Sequence, residues 1–347
     1  MQTDNKKIVV DCQDVEVRFD VRKKQKDGTH PVVRAVDGVS LQIREGEILA
    51  AVGESGCGKT TLGKAILNII KPTSGTVLYR GKNMAEMDKK EMQQMRSRMQ
   101  LIYQDPYESL DPGQTVYKTL EEPLIIHRKD LSREERHDII MKQLEAVGLV
   151  PAEVIAERYP HQMSGGQRQR LSIAASVILK PDFVVADEPV SMLDVSVRAG
   201  ILKLMIDLQK DTSLSYLFVS HDLSLTWMIA DRIAVFYLGK MMEIGDAQEV
   251  VHNGLHPYTR ALVSVIPAMA GTQKPEERRV LVGETPAATN VPSGCRFHTR
   301  CWVYQQNGCP GICREKEPEL REIEPGHMAA CHFDREGNLY DKDGKNV

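Results

Sequence analysis

The chain has 347 residues, with 45 Lys and Arg against 48 Asp and Glu, so its formal net charge is −3. The hydrophobic share of 41% is enough to bury a sizeable core, and the length exceeds that of one typical domain. The charge balance argues against a nucleic-acid binder. We expect neither a secreted nor a membrane-spanning chain, because the start MQTDNKK has no apolar signal segment and no apolar run reaches about 20 residues.

Apolar and polar residues alternate around residues 15–19 and 41–43, which predicts half-buried β-strands. A wholly apolar strand at residues 48–52 runs into a glycine-rich turn. Further strands are predicted at 76–80, 99–103, 183–186 and 215–220, and helices at 62–70, 132–147, 164–179 and 195–209. Strands that alternate with helices predict an α/β fold with a mainly parallel sheet covered on both faces.

Two stretches interrupt this pattern. Residues 22–28, RKKQKDG, read as a basic loop at a hairpin tip, and residues 267–279 read as a linker rich in Ala, Gly, Pro and charge. We therefore predict a nucleotide-binding domain over residues 1–266, with a helical subdomain at about 105–180. Residues 267–347 follow as a small Cys-rich C-terminal extension.

The strongest motif is Gly53-Glu-Ser-Gly-Cys-Gly58-Lys59-Thr60, which matches G-x-x-x-x-G-K-[ST] between a predicted strand and a predicted helix. In such a phosphate loop the backbone N–H groups and the lysine meet the phosphates, and the Thr hydroxyl can ligate Mg²⁺. Cys57 is expected to fill space, with a reactive thiol as the alternative. The predicted ATP-binding residues are Gly53, Glu54, Ser55, Gly56, Cys57, Gly58, Lys59, Thr60 and Thr61.

A second motif places an acidic pair, Asp187 and Glu188, directly after an apolar strand. Ligands of parallel α/β sheets collect at the carboxyl ends of strands. We expect Asp187 to contribute to a magnesium site and Glu188 to act as the general base toward the attacking water.

A third motif, Met163-Ser164-Gly165-Gly166-Gln167, resembles the signature of ATP-binding-cassette (ABC) ATPases, usually Leu-Ser-Gly-Gly-Gln. A serine and two glycines that open a helix offer a hydroxyl, bare N–H groups and the helix dipole to an anion. The order of the other motifs is similar to that family as well. Gln104 matches the Q-loop, Ser191-Met-Leu-Asp194 the D-loop and His221 the switch histidine, while Phe19 stands where an aromatic stacks on adenine, with a core position as the alternative.

This resemblance implies a P-loop ATPase fold with an antiparallel β portion, a helical subdomain and a mainly parallel sheet. It implies a head-to-tail dimer in which Ser164, Gly165, Gly166, Gln167 and Asp194 meet the partner's ATP. The implied catalytic residues are Lys59, Gln104, Glu188 and His221, and the implied Mg²⁺ ligands are Thr60, Gln104 and Asp187.

His256-Pro-Tyr-Thr-Arg260 and Pro292-Ser-Gly-Cys295 resemble the ATPase subunits of oligopeptide, dipeptide and nickel importers. The resemblance implies an ATPase at the cytoplasmic face of the cell membrane. Its implied partners are a second ATPase subunit, two transmembrane permease subunits and an extracytoplasmic solute-binding protein. Peptides are the expected cargo, with oligosaccharides or nickel as alternatives, and a heterodimer is expected, with a homodimer as the alternative. A non-transport ABC ATPase with a redox-sensing tail is the competing hypothesis.

Five of the seven cysteines lie in the C-terminal extension. Clustered thiols in a chain without an export signal point to a metal or iron–sulfur site rather than to disulfides. Some members of the importer subfamily hold a [4Fe–4S] cluster there, and the resemblance matches Cys295, Cys301, Cys313 and Cys331, while Cys309 falls in a short insertion. Four thiolates also suit Zn²⁺, and free thiols are the third alternative.

Overall fold

The computed structural model describes residues 7–21, 30–266, 279 and 281–340. The predicted basic loop at 22–28 and almost all of the predicted linker at 267–279 lie outside these residues. The strands are β1 (Ile8–Asp20), β2 (Val32–Arg44), β3 (Ile48–Val52), β4 (Ser74–Tyr79), β5 (Lys82–Asn83), β6 (Met99–Ile102), β7 (Phe183–Asp187), β8 (Ser215–Ser220), β9 (Arg232–Tyr237), β10 (Lys240–Asp246), β11 (Arg321–Glu324) and β12 (His327–Ala329).

The helices begin with the one that follows the glycine-rich turn. They are α1 (Lys59–Ile66), α2 (Lys89–Arg98), α3 (Val116–His127), α4 (Arg133–Ala146), α5 (Ala152–Ala156), α6 (Gly165–Val177), α7 (Val195–Thr212), α8 (Leu223–Thr226), α9 (Ala247–His252), α10 (Pro257–Ser264), α11 (Trp302–Gln306) and α12 (Ile312–Glu315). Within the described residues, no helix is both long enough and apolar enough to cross a membrane.

The central sheet has eight strands in the order β11-β12-β10-β9-β3-β8-β7-β6. The five strands from β9 to β6 pair in parallel, and β10, β12 and β11 add an antiparallel edge. Every residue of β3, β7 and β8 is buried, as expected for parallel strands covered on both faces. The predicted mainly parallel sheet with an antiparallel portion is confirmed.

A second, four-stranded sheet in the order β2-β1-β4-β5 is antiparallel and covers one side of the central sheet. Helix α1 lies between the two sheets and contacts strands of both. It ends at Ile66, earlier than predicted, because Asn68 adopts a left-handed backbone with φ of 52° that stops the helix.

Helices α3 to α7 cover the other side of the central sheet and share an apolar core with it. The predicted helix at 132–147 is α4, and its capping box is present, because Ser132 and Glu135 exchange backbone-to-side-chain hydrogen bonds. Helices α3 and α5 were not predicted. Pro123 inside α3 cannot donate a helical hydrogen bond, and α5 has only five residues, too few for a visible period.

The C-terminal extension continues the central sheet. Strand β12 pairs with β10, with Glu243 opposite Ala329 and Ile244 opposite Met328. Phe297 of the extension is fully buried in one cluster with Tyr237 and Tyr258 of the preceding segment. The predicted boundary at residue 266 therefore divides the chain within a region that shares one sheet and one core, and it stays a prediction.

Candidate nucleotide-binding site

Four groups of the predicted site residues lie at the carboxyl ends of four neighbouring parallel strands. The glycine-rich turn follows β3, Asp187 ends β7, and Gln104 and His221 follow β6 and β8. Because parallel strands end at the same edge of a sheet, these four chain segments meet there. The residues that the sequence spreads over some 170 positions thus converge on one surface.

The phosphate loop, Gly53 to Thr60, depends on two glycines. Gly53 has a φ of 151°, and a Cβ there would lie 2.1 Å from the carbonyl oxygen of Phe236. Gly58 has a φ of 102°, and its Cβ would lie 1.9 Å from the carbonyl oxygen of Ala35. Only glycine fits where the loop passes so close to other backbone segments. Gly58 also precedes the first residue of α1, so the loop leads directly into a helix N-terminus.

Lys59 is buried, and its ammonium group is held by the phosphate loop itself. The Nζ atom donates to the carbonyl oxygens of Gly53 at 2.7 Å and Glu54 at 3.0 Å. Cys57 is 1% exposed, and burial raises the pKa of its thiol although the nearby Lys59 charge opposes this shift. The space-filling interpretation of Cys57 therefore fits better than that of a reactive thiolate.

Thr60 and Asp187 are joined directly. The Thr60 hydroxyl donates to Oδ1 of Asp187 at 2.8 Å. Burial raises the pKa of the Asp187 carboxyl, and the negative charge of neighbouring Glu188 raises it further. The hydrogen bond from Thr60 acts in the opposite direction and lowers this pKa. A hydroxyl and a carboxylate are hard oxygen donors of the kind that Mg²⁺ accepts, and a cation beside them would favour the ionised carboxylate.

Glu188 lies at the centre of a second group. Its Oε2 accepts a hydrogen bond from Nε2 of Gln104 at 3.2 Å and lies 3.1 Å from Nδ1 of His221. The Glu188 side chain is 16% exposed and that of His221 is 57% exposed, so the group faces the surface. Glu188 has a left-handed backbone with φ of 45°, an unfavourable conformation for this residue type that turns the chain just after β7.

The signature residues lie at the start of α6. Ser164 is the N-cap, and it forms a capping box with Gln167, with hydrogen bonds of 3.0 and 3.3 Å. A Cβ on Gly166 would lie 2.7 Å from Val197, so the glycine allows α6 and α7 to approach closely. Among the hydrogen bonds of the described residues, none connects this helix start to the phosphate loop. Asp194, the N-cap of α7, is exposed and its side chain makes no capping bond.

Phe19 lies near the end of β1, opposite Val33 of β2. Its side chain is 42% exposed, so it does not lie in the core. The alternative of a core position is therefore wrong, while adenine stacking stays a prediction.

Two family models match the chain. One, described as "ABC transporter", matches residues 36–191, and the other, described as "Oligopeptide/dipeptide transporter, C-terminal region", matches residues 242–309. The dipeptide transport ATP-binding protein DppF of Haemophilus influenzae is 48% identical over 87% of this chain and 90% of its own length. The oligopeptide transport ATP-binding protein AppF of Bacillus subtilis is 43% identical over 96% of this chain and 99% of its own length. The chain is an ABC ATPase of the oligopeptide/dipeptide transporter family.

A solved structure agrees with this assignment. The ATP-binding cassette MJ0796, determined as a dimer in a post-hydrolysis state with ADP and phosphate, superposes with a TM-score of 0.60 at 28% identity. The match covers 69% of this chain and 98% of the cassette. ATP and Mg²⁺ are the cofactors that an ABC ATPase uses, and the oxygen donors at Thr60 and Asp187 fit the metal.

The four cysteines predicted to act together are all buried in this ABC ATPase, whereas Cys309 is exposed. Cys295, Cys301, Cys313 and Cys331 share one core cluster. Backbone N–H groups lie 3.5 Å from Sγ of Cys301 and 3.4 Å from Sγ of Cys331. Burial raises the pKa of Cys295 to about 12 and that of Cys313 to about 11, and neighbouring cysteines add to both shifts. In the part of the chain that the structure describes, no three His, Cys, Asp or Glu side chains form a group that could hold a metal ion.

Three residues near the phosphate loop were missed as site residues. Arg300, Thr285 and Tyr258 all hydrogen-bond to Glu54, from segments 204 to 246 residues further along the chain. Tyr258 lies in the His-Pro-Tyr-Thr segment and Arg300 next to Cys301, which the sequence marked only as features of the subfamily. Contacts over such distances leave no local pattern.

Proposed function

We propose that this chain hydrolyses ATP to drive the uptake of oligopeptides or dipeptides through a membrane importer. The observation that carries the proposal is the convergence of Lys59, the Thr60–Asp187 pair and the Gln104–Glu188–His221 group at one sheet edge. Residues 1–266 form the nucleotide-binding domain in this proposal, with its helical subdomain at about 105–180. Residues 267–347 form the C-terminal extension.

The chemistry follows from the side chains at that edge. Glu188 accepts the proton of the attacking water, and Gln104, which donates a hydrogen bond to it, and His221, whose Nδ1 lies 3.1 Å away, orient its carboxylate. Thr60, Asp187 and Gln104 would hold Mg²⁺, which neutralises charge on the phosphates when it is bound. Lys59 and the loop N–H groups hold the phosphates in line for the attack.

The second half of each site comes from a partner in our proposal. The signature Ser164 caps its own helix and presents a helix N-terminus, which favours an anion. We assign Ser164, Gly165, Gly166, Gln167 and Asp194 to the ATP that the partner subunit holds. This arrangement accounts for a signature that makes no described hydrogen bond to the phosphate loop of its own chain.

The decisive experiment replaces the proposed base. Glu188→Gln keeps the size and polarity of the side chain but removes its ability to take a proton, so ATP binding should persist while turnover falls by roughly 10²–10⁴-fold. Glu134→Gln, at an exposed position of α4, is the matched control and should hydrolyse ATP at the wild-type rate. Wild-type hydrolysis by the Glu188 variant would rule out its assigned role.

The partners and the cargo belong to the same proposal. The ATPase works at the cytoplasmic face of the cell membrane with two transmembrane permease subunits and an extracytoplasmic solute-binding protein. The second ATPase is a similar but distinct subunit, with a homodimer as the alternative. The relatives named for oligopeptide and dipeptide transport support peptides as cargo over oligosaccharides or nickel. ATPase measurements on the co-purified complex, with each cargo class added in turn, distinguish these alternatives.

We also propose that the four buried cysteines bind a [4Fe–4S] cluster. Because no three side chains of the described residues are arranged to hold a metal ion, the proposal requires the four thiols to move closer together when the cluster binds. Three observations support this proposal: the four thiol donors, their burial in one cluster, and the backbone N–H groups directed at two of the sulfur atoms. Anaerobic protein should contain iron and sulfide and absorb visible light, and Cys313→Ser should abolish both, while Cys309→Ser should not. Zinc without sulfide would favour the zinc site instead, and metal-free protein would leave four free thiols.

A further inference from the structure

Glu54, the second residue of the phosphate loop, is held by the C-terminal extension. Its two carboxylate oxygens accept hydrogen bonds from Arg300 at 2.8 and 3.1 Å, which is the fork-to-fork geometry of a strong ion pair. The Thr285 hydroxyl donates to the same carboxylate and accepts a 3.0 Å hydrogen bond from Arg300. Thr285 and Arg300 thus jointly hold the Glu54 side chain in place.

Arg300 is itself held rigidly. Its side chain is only 7% exposed, against 28% for Glu54, so solvent screens this pair less than a surface ion pair. The guanidinium also lies 3.4 Å from the hydroxyl of Tyr237, at the carboxyl end of β9. The arginine is therefore fixed by the central sheet on one side and holds the phosphate loop on the other.

The backbone of Glu54 is tied to the loop lysine. Its N–H donates to the hydroxyl of Tyr258 at 2.9 Å, and its carbonyl oxygen accepts from Lys59 Nζ at 3.0 Å. A shift of Glu54 would therefore move an oxygen that positions the Lys59 ammonium.

The charge of Glu54 also matters. A carboxylate in a loop that binds a triphosphate repels the ligand unless a cation balances it. Arg300 is the cation that balances it here, because both of its terminal nitrogens are directed at Glu54.

We propose that Arg300 is a positioning residue for ATP binding: it fixes the phosphate loop through Glu54 and cancels the charge of that carboxylate. The C-terminal extension thereby contributes to nucleotide affinity, although no residue of it touches the phosphates in this proposal. The inference rests on the proposed function only in taking the loop as an ATP site.

The test is equilibrium binding of a fluorescent ATP analogue to the purified full-length chain, which does not require hydrolysis. Arg300→Gln should raise the Kd about tenfold, as one uncompensated charge near the phosphates implies, and the increase should be larger at low salt than at high salt. The Kd of Arg300→Lys should lie between those of wild type and Arg300→Gln, because lysine keeps the positive charge but cannot form the paired hydrogen bonds of the guanidinium. Arg314→Gln, an exposed arginine of the same extension, should bind like wild type.

The double variant Glu54→Gln/Arg300→Gln distinguishes an effect of Arg300 on the charge of Glu54 from a purely structural role of Arg300 in the extension. It should recover most of the lost affinity, because it removes the uncompensated carboxylate, whereas damage to the fold of the extension would persist. An unchanged Kd in Arg300→Gln, or a double variant as weak as the single one, would overturn the inference and leave the proposed function intact. If Arg300→Gln does not fold, the test depends on Arg300→Lys instead. A wild-type Kd in Arg300→Lys would then overturn the inference. A wild-type chain that bound no nucleotide would reject the proposed function itself.

Discussion

The hydroxyl of Thr60 and the carboxylate of Asp187 are 2.8 Å apart, although the two residues lie 127 positions apart in the chain. The first residue lies one step inside α1 and the second ends β7, and the parallel sheet aligns the two. This pair joins the phosphate loop to the acidic motif, and it places the proposed magnesium ligands side by side.

Removal of the Thr60 hydroxyl should weaken Mg²⁺ binding at the nucleotide site. Thr60→Val has nearly the same shape but removes the hydroxyl oxygen that would ligate Mg²⁺ as well as the hydrogen bond that holds Asp187, and a hydrogen bond to a charged group contributes about 1.5–3 kcal/mol. We expect at least a tenfold rise in the Mg²⁺ concentration that gives half-maximal ATPase activity. Thr60→Ser, which keeps the hydroxyl, is the control and should stay close to wild type. An equal magnesium requirement in all three proteins would contradict the assignment.

The glycines of the phosphate loop should differ in how well they tolerate an added methyl group. Gly58→Ala places a Cβ 1.9 Å from a backbone oxygen, so the loop has to move and nucleotide binding should be lost. Gly56→Ala is the matched control, because Gly56 also has a positive φ, of 77°, but has nothing within 4 Å of its Cβ. It should cost only the backbone strain of about 1 kcal/mol and retain nucleotide. Equal loss of binding in both variants would show that φ alone limits the loop.

Buried His256 should make the protein less stable in mild acid. Burial lowers the pKa of this histidine to about 3, while the unfolded chain has the ordinary value near 6.5. Between these values the unfolded state binds the extra proton, so stability is lost as the pH falls below about 6.5. This group alone should lower the free energy of unfolding by about 2 kcal/mol from pH 7 to pH 5.

Urea unfolding at the two pH values measures this effect. His256→Asn keeps a side chain that can cap α10 but does not titrate, so its stability should fall by about 2 kcal/mol less than that of wild type over the same interval. The same pH dependence in both proteins would mean that other groups cause it.

Phe297 should stabilise the extension and the nucleotide-binding domain together. It is fully buried, with ring centroids 5.3 Å from both Tyr237 and Tyr258. Phe297→Ala should lower the free energy of unfolding by about 3–5 kcal/mol, and Phe297→Leu by about 1.5 kcal/mol or less. The measurement is urea unfolding followed by tryptophan fluorescence, with Trp227 and Trp302 in the two parts. A separate early transition of the extension would contradict a shared core.

Local patterns were sufficient for much of this protein. The wholly apolar strand before Gly53 and the glycine spacing after it predicted the phosphate loop, and the Ser132-x-x-Glu135 spacing predicted a capped helix. Patterns failed where local signals are weak. Pro123 obscured α3, and Asn68 ended α1 early through a left-handed backbone that the sequence pattern did not reveal.

The sequence alone was enough to predict which residues carry chemistry, because the phosphate loop, the acidic pair and the signature are each contiguous and each need specific residue types at fixed spacing. Only the tertiary structure decided how they meet. The sheet order brings Gln104 and His221 to Glu188, and the return of the extension onto β9 and β10 brings Arg300 to Glu54. The physical reason is that strand order and long-range packing depend on burial summed over the whole chain, which no single segment encodes.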